Sequence, residues 1–332
     1  MADRWDEVLD TVGGLLPGGA AVLVDGGPAG LFADRLAAAL ESAGRRCVRP
    51  DDRGVTKVGE VTLVAGGRWR AHPPAGRWDV VVWLRTAPSG VDQAHGDDEH
   101  GDDIVLDLHD ATWPVIRRVS EHLDPDRSWY PRESRAFFAA RASSWDTRFG
   151  DDMPAYARAV SETGIRPGGV VLDAGCGTGR ALPALRAAAG ADGTVIGLDI
   201  TPEMLAEARH RGRAGFATLL LGDARRLPLA DDSVDDVFAA GLVMHLPDLT
   251  AGLTELARVV RPGGRLAIFH PSGRAALAAR HGRTLRTDDP LNEPVLVRRL
   301  IETGWTLIRY EDPPDRFLAL AVRSPWPPPP SR

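Results

Sequence analysis

The run Val170-Val171-Leu172-Asp173-Ala174-Gly175-Cys176-Gly177-Thr178-Gly179 constrains this chain more than any other stretch. Three apolar residues lead into an acid, and three glycines then alternate with small residues. An apolar run of that kind reads as a parallel strand, which is covered on both faces. Glycine has no Cβ, so the turn after the strand can bend sharply and come close to a ligand. A helix is predicted over 180–189. Strand, glycine turn and helix make the opening of a nucleotide-binding α/β unit.

The next hundred residues repeat that pattern. A second strand is predicted over 195–199, and it ends in Asp199. A carboxylate at that point accepts hydrogen bonds from the two hydroxyls of a ribose. Thr201 and Pro202 start a helix as N-cap and first helical residue. A third strand over 217–221 runs into Gly222-Asp223-Ala224, and a fourth spans 234–240. Gly241 and a loop containing His245 come next, and then a helix capped by Asp248 with Leu249, Leu253, Leu256 and Val260 along one face. Arg261-Pro262-Gly263-Gly264 turns into a fifth strand over 265–269. Acids, glycines or a histidine thus mark the strand ends, where open α/β sheets bind ligands. A helix over 295–303 and strands over 305–310 and 316–322 complete the pattern.

On these residues the chain, over about 135–323, resembles class I S-adenosylmethionine-dependent methyltransferases. The glycines are spaced G-x-G-x-G, unlike the G-x-G-x-x-G of dinucleotide enzymes. The resemblance implies a Rossmann-like seven-stranded sheet, with S-adenosyl-L-methionine as cofactor and S-adenosyl-L-homocysteine as product. It implies a cofactor site made by Asp173, Ala174, Gly175, Cys176, Gly177 and Gly179. Asp199 takes the ribose hydroxyls, and Ile200 and Met204 flank the adenine. Asp223 accepts from the adenine amino group beside the Ala224 N–H, and Ala240 and Gly241 line the methionine end. Cys176 reads as a small packed residue rather than a nucleophile. The cofactor has no phosphate, so no cationic loop is needed. His245 is the candidate general base, and its alternative is a structural histidine; His270 is a second candidate. The segment after the fifth strand, 272–293, carries Arg274, Arg280 and Arg283. They read as a solvated face or as contacts to an anionic acceptor.

The first half shows a second strand, glycine turn and helix. A strand over 20–25 precedes Gly26-Gly27-Pro28-Ala29-Gly30, and a helix is predicted over 31–43. This opening resembles P-loop nucleoside kinases of the uridine kinase type. The loop departs from G-x-x-x-x-G-K-[ST], since Gly30 is followed by Leu31-Phe32-Ala33, with neither lysine nor hydroxyl. The one lysine of the chain is Lys57. A degenerate P-loop-like α/β domain is the expectation, serving as scaffold, dimer surface or cover. A helix over 4–16, strands over 61–65, 80–84 and 104–108, and a closing helix over 113–123 complete it. The acids and histidines of 92–103 read as a solvated loop, with no metal site.

Size and charge agree. At 332 residues two domains fit better than one, and a net charge of −6 supplies no basic field for nucleic acid or anionic membrane. Cys47 and Cys176 are too few for a disulfide framework, and the charged start has no apolar signal core, so a cytoplasmic protein is expected. Four segments are predicted: 1–124, the P-loop-like domain; 125–169, connecting helices and lid, in which Trp145 and Phe149 are either core or cover; 170–323, the cofactor-binding domain; and 324–332, a proline-rich tail. The predicted function is methyl transfer to a small-molecule acceptor by in-line displacement. Partners are that acceptor and a second copy in a homodimer, with neither nucleic acid nor membrane. A kinase-like or bifunctional protein and a non-catalytic cofactor-binding regulator are the alternatives.

Overall fold

The computed structural model describes residues 4–49, 60–71, 73, 76–86, 101–108, 110–150, 152–280, 285 and 289–325. Lys57, Arg283, most of the 92–103 loop and the tail from 326 lie outside them. The chain divides into two compact units, Met1–Glu133 and Ser134–Arg332.

The first unit contains α1 (Arg4–Leu15), β1 (Ala21–Gly26), α2 (Ala29–Ser42), β2 (Cys47–Val48), β3 (Val61–Ala65), β4 (Val80–Arg85), β5 (Ile104–Asp107) and β6 (Val115–Val119). The sheet order is β2-β3-β1-β4-β5-β6. The first five strands are parallel, and β6 is antiparallel to β5. Val22, Leu23 and Val24 of β1 are fully buried, as are Phe32 and Leu36 of α2, which lie one helical turn apart. At Gly26 φ is +80°, and a Cβ would collide with the Leu84 carbonyl oxygen, so the turn after β1 requires glycine there.

The helix expected over 113–123 is instead strand β6. Its pairing with β5 shifts register between Val105 and Leu106: Val105 faces Arg118 while Leu106 faces Ile116. The extra residue is a β-bulge, which breaks the period-two alternation. Val115, Ile116 and Val119 are buried on either side of the half-buried Arg117 and Arg118. That i, i+1, i+4 spacing mimics a helix face. Glu133 closes this unit in a buried ion pair with Arg4, and its carboxylate accepts the Ile116 N–H at 2.8 Å. Arg4 also donates to the Pro114 carbonyl at 2.9 Å.

Helix α3 (Tyr130–Ala139) contains the division between the units. The second unit continues with α4 (Trp145–Phe149), α5 (Met153–Thr163), β7 (Val170–Ala174), α6 (Leu182–Ala189), β8 (Thr194–Asp199), α7 (Pro202–His210), β9 (Thr218–Leu221) and β10 (Val234–Ala240). It ends with α8 (Leu249–Val259), β11 (Val260–His270), α9 (Arg274–Arg280), α10 (Glu293–Glu302), β12 (Trp305–Glu311) and β13 (Phe317–Arg323). The seven strands run β12-β13-β11-β10-β7-β8-β9. Only β13 is antiparallel to its neighbours, lying between β11 and β12. This is a Rossmann-like sheet with helices on both faces. One apolar cluster joins Leu253 and Leu256 of α8 and Leu296 and Leu300 of α10 to Val237 and Leu266. The other joins Val160 of α5 and Leu182 and Leu185 of α6 to Val171 and Phe238. Both faces of β7 and β10 are therefore covered, and their carboxyl ends stay at one edge of the sheet.

Candidate functional site

The site grows from the carboxyl ends of β7, β8 and β10. After β7 the backbone takes positive φ at Gly175 (+71°), Gly177 (+54°) and Gly179 (+81°), the left-handed region that glycine occupies without penalty. The Gly175 and Cys176 N–H groups both donate to the Leu198 carbonyl, at 2.8 and 2.9 Å, which locks the turn onto β8. A Cβ at Gly175 would press on Leu242, and one at Gly179 on Leu182, whereas one at Gly177 meets open space. Gly177 therefore presents backbone to whatever lies above the turn.

Asp173 lies beneath that turn, 1% exposed, and neither of its carboxylate oxygens has a hydrogen-bond partner among the described residues. Burial, and then the neighbouring Asp199 carboxylate, push its pKa up to about 8. Asp199 accepts the Gly177 N–H at 2.9 Å and the Thr201 N–H at 2.8 Å, and burial raises its pKa as well. Two buried carboxylates so close together call for cations or hydroxyl donors. Cys176 packs in the apolar cluster over β7, its thiol pushed well above the ordinary range by burial, in keeping with a packing residue.

The other residues named from the sequence are spread around this turn and the neighbouring strand ends. Ile200 is half-buried, and its carbonyl accepts from Arg135 of α3 at 2.9 Å; Met204 is buried on α7. Ala224 is buried beside β9, but the Asp223 carboxylate is held by Arg225, at 2.8 Å from Nη2 and 3.0 Å from Nε. Ala240 ends β10, and the Gly241 N–H donates to the Phe269 carbonyl at 2.8 Å. His245 lies in the short turn after β10 and packs against Phe138 of α3, with ring centroids 5.1 Å apart in an edge-to-face pose. His270 ends β11, its Nδ1 engaged by Ser272, and burial holds its pKa below the usual value. Arg274 is neither solvated nor free for a ligand: it pairs with Asp312 at 2.9 Å and with Asp289 at 3.2 Å. Arg280 donates to Ser272 Oγ at 3.1 Å.

One cluster was missed by sequence reasoning. Asp146 of α4 accepts from Thr178 Oγ1 at 2.6 Å and from Arg180 Nε at 3.2 Å, and pairs with Arg213 at 2.8 Å and Arg211 at 3.2 Å. Arg180 also pairs with Asp152, and Arg213 donates to the Thr178 carbonyl at 2.8 Å. These bonds tie Asp146 and Asp152 to the glycine turn and to Arg180, which follows it. Burial works against ionisation of Asp146, but the Thr178 and Arg213 hydrogen bonds and the arginine charges outweigh it and hold its pKa below the usual value. The available signal was Arg180, a charged residue placed directly between Gly179 and an apolar helix.

Part of the second unit is similar to known proteins. Residues 172–268 match the family described as a methyltransferase domain. That match lies within the second unit and does not reach the P-loop-like reading of the first. Methyltransferase GfsG of Streptomyces halstedii is 42% identical over 108 residues, covering 31% of this chain and 38% of that protein. Demethylmenaquinone methyltransferase of Symbiobacterium thermophilum is 32% identical over 158 residues, covering 46% and 59%. A solved S-adenosylmethionine-dependent methyltransferase from Aquifex aeolicus aligns over 56% of this chain and 98% of its own, with 24% identity and a TM-score of 0.45. The chain spans less than two thirds of the length of these curated relatives.

Proposed function

We propose that this chain transfers the methyl group of S-adenosyl-L-methionine to a small-molecule acceptor in the cytoplasm, releasing S-adenosyl-L-homocysteine. The observation that carries the reading is the unpartnered, buried carboxylate of Asp173 beneath a glycine turn whose middle glycine opens onto free space. That chemistry suits a ligand bearing cations and hydroxyls. It does not suit a polyphosphate, which two carboxylates repel. The cofactor supplies a methyl group already made electrophilic by its sulfonium.

The chain's own residues do the rest. Each oxygen of Asp199 accepts one backbone N–H and keeps a lone pair for a ribose hydroxyl. Ile200 and Met204 flank the adenine, and Asp223 and the Ala224 N–H meet its edge. Asp173, Ala174, Gly175, Cys176, Gly177 and Gly179 form the floor, with Ala240 and Gly241 at the methionine end. Orientation of the acceptor in line with the methyl and exclusion of water supply most of the rate. Where the acceptor carries a proton, His245 takes it, imidazole being suited to neutral pH. The relative that acts on demethylmenaquinone accords with a small-molecule acceptor.

Calorimetric titration of the full chain with S-adenosyl-L-homocysteine tests the reading. One-to-one binding that Asp199→Ala weakens by at least about tenfold is expected, the loss of a charged hydrogen-bond acceptor. Folded protein that binds none refutes it.

A further inference from the structure

Three large aromatic side chains of the connecting segment are absent from the two apolar clusters that fill the faces of the second sheet. Phe137 and Phe138 of α3 and Trp145 of α4 are all half-buried. They pack instead on one another and on His245. Phe137 meets Phe138 edge-to-face at 5.1 Å, and Phe138 meets Trp145 at 5.6 Å. His245 is 5.1 Å from Phe138 and 6.3 Å from Phe137. Four rings are thus gathered at the loop after β10.

Their place in the fold matters as much as their number. Leu242 of the same loop packs where a Cβ of Gly175 would lie, so this loop touches the glycine turn. Trp145 adjoins Asp146, which is bound to Thr178 of that turn at 2.6 Å. The rings are therefore held from two sides at the edge where the reacting groups of the proposed reaction meet. Aromatic side chains supply large rigid contact area and attract other rings edge-on or in offset stacks. Arg141 covers one face of Phe137 at 4.0 Å, a guanidinium stack that steadies the group.

We propose that Phe137, Phe138, Trp145 and His245 form the acceptor wall of the site and select a flat aromatic ring that carries a hydroxyl group. This rests on the assignment of S-adenosyl-L-methionine as cofactor. The ring stacks on or edges against the wall, and its hydroxyl lies beside His245. During transfer the hydroxyl proton passes to the imidazole and the oxygen lone pair forms the new C–O bond to the methyl carbon. The C–S bond pair returns to sulfur, leaving a neutral thioether, and the imidazolium proton leaves to water. The wall sets specificity by ring recognition, which an aliphatic alcohol of equal size does not satisfy.

The test uses the full chain saturated with S-adenosyl-L-homocysteine, titrated with 1-naphthol and with its saturated counterpart decahydro-1-naphthol. The expected result is at least tenfold tighter binding of 1-naphthol. Phe138→Leu and Trp145→Leu should each weaken 1-naphthol by about two- to twelvefold, the worth of one aromatic pair, while Phe138→Tyr keeps it. S-adenosyl-L-homocysteine affinity is measured on every variant as the control for an intact fold. Equal binding of the two probes, binding of neither, or 1-naphthol binding indifferent to both leucine variants overturns the wall. Failure of the wild-type chain to bind S-adenosyl-L-homocysteine refutes the cofactor reading instead, so the two failures are distinguishable.

Discussion

Asp173 concentrates the chemistry of the site in one residue. Its pKa is raised to about 8 by burial and by Asp199, so in the free protein it carries a proton at neutral pH. The unfolded chain releases that proton near the ordinary carboxylate value of about 4. The folded state therefore holds one more proton than the unfolded state across about pH 4 to 8. Stability from this group is fully present below that window and is lost as pH rises through it. A ligand ammonium group, such as the α-ammonium of S-adenosyl-L-homocysteine, favours the ionised carboxylate and expels the proton. Affinity for S-adenosyl-L-homocysteine should thus rise with pH between 6 and 8 by up to about tenfold per unit, with proton release seen as a buffer-dependent heat. Asp173→Asn should flatten that dependence. A wild-type affinity unchanged across this range would refute the assignment. The sequence showed that an acid stands at this strand end, and it showed the glycines. It did not show that both oxygens lack partners, because burial depends on β8 and β10 lying on either side. Nor did it show that Arg225, two residues along, takes up the Asp223 carboxylate.

At the scale of elements, order in the chain was legible wherever hydrophobic period and turn residues agreed. Strand β10 falls at its predicted limits, and Asp248 caps α8 by accepting the Ala251 N–H at 3.0 Å. Strand β6 was not legible, because its bulge replaces alternation with a helix-like spacing. The tie between α4 and the glycine turn was hidden for another reason, since its partners are far apart in sequence. Two predictions belong at this scale. Asp146→Asn should lower stability by about 1.5–3 kcal/mol, the worth of hydrogen bonds to a charged group that is partly buried. The lowered pKa of Asp146 means its contribution is present above the ordinary carboxylate value and is lost as pH falls through the folded value. The gap in urea midpoint between wild type and variant should therefore narrow below about pH 4. In the first unit, Arg4→Met leaves Glu133 buried without its cation and should cost about 3–5 kcal/mol. The double variant Arg4→Met/Glu133→Leu should recover most of that in denaturant titration; recovery of none would show that packing, not charge, holds this corner.

For the whole molecule, the two units divide the chemistry unequally. Every residue assigned to cofactor or acceptor binding lies at or beyond Phe137, and the family match runs from 172 to 268. Both apolar clusters of the second sheet are drawn from that part of the chain too. A fragment of residues 125–332 keeps α3 whole and loses, among the described residues, the ion pairs of Glu133 with Arg4, Arg132 with Glu7 and Arg127 with Glu121, whose partners solvent then replaces. That fragment should bind S-adenosyl-L-homocysteine within about twofold of the full chain. The reason is that ligand affinity reflects contacts to the site and the order of its surroundings, and both are contained in the fragment. Calorimetry on the two proteins side by side checks it, with a thermal melt to show the fragment is folded. Equal affinity makes the first unit dispensable for the cofactor and directs the search for its role to other ligands. A folded fragment that binds tenfold more weakly shows instead that the first unit orders the site, and its glycine turn after β1 becomes the place to substitute next.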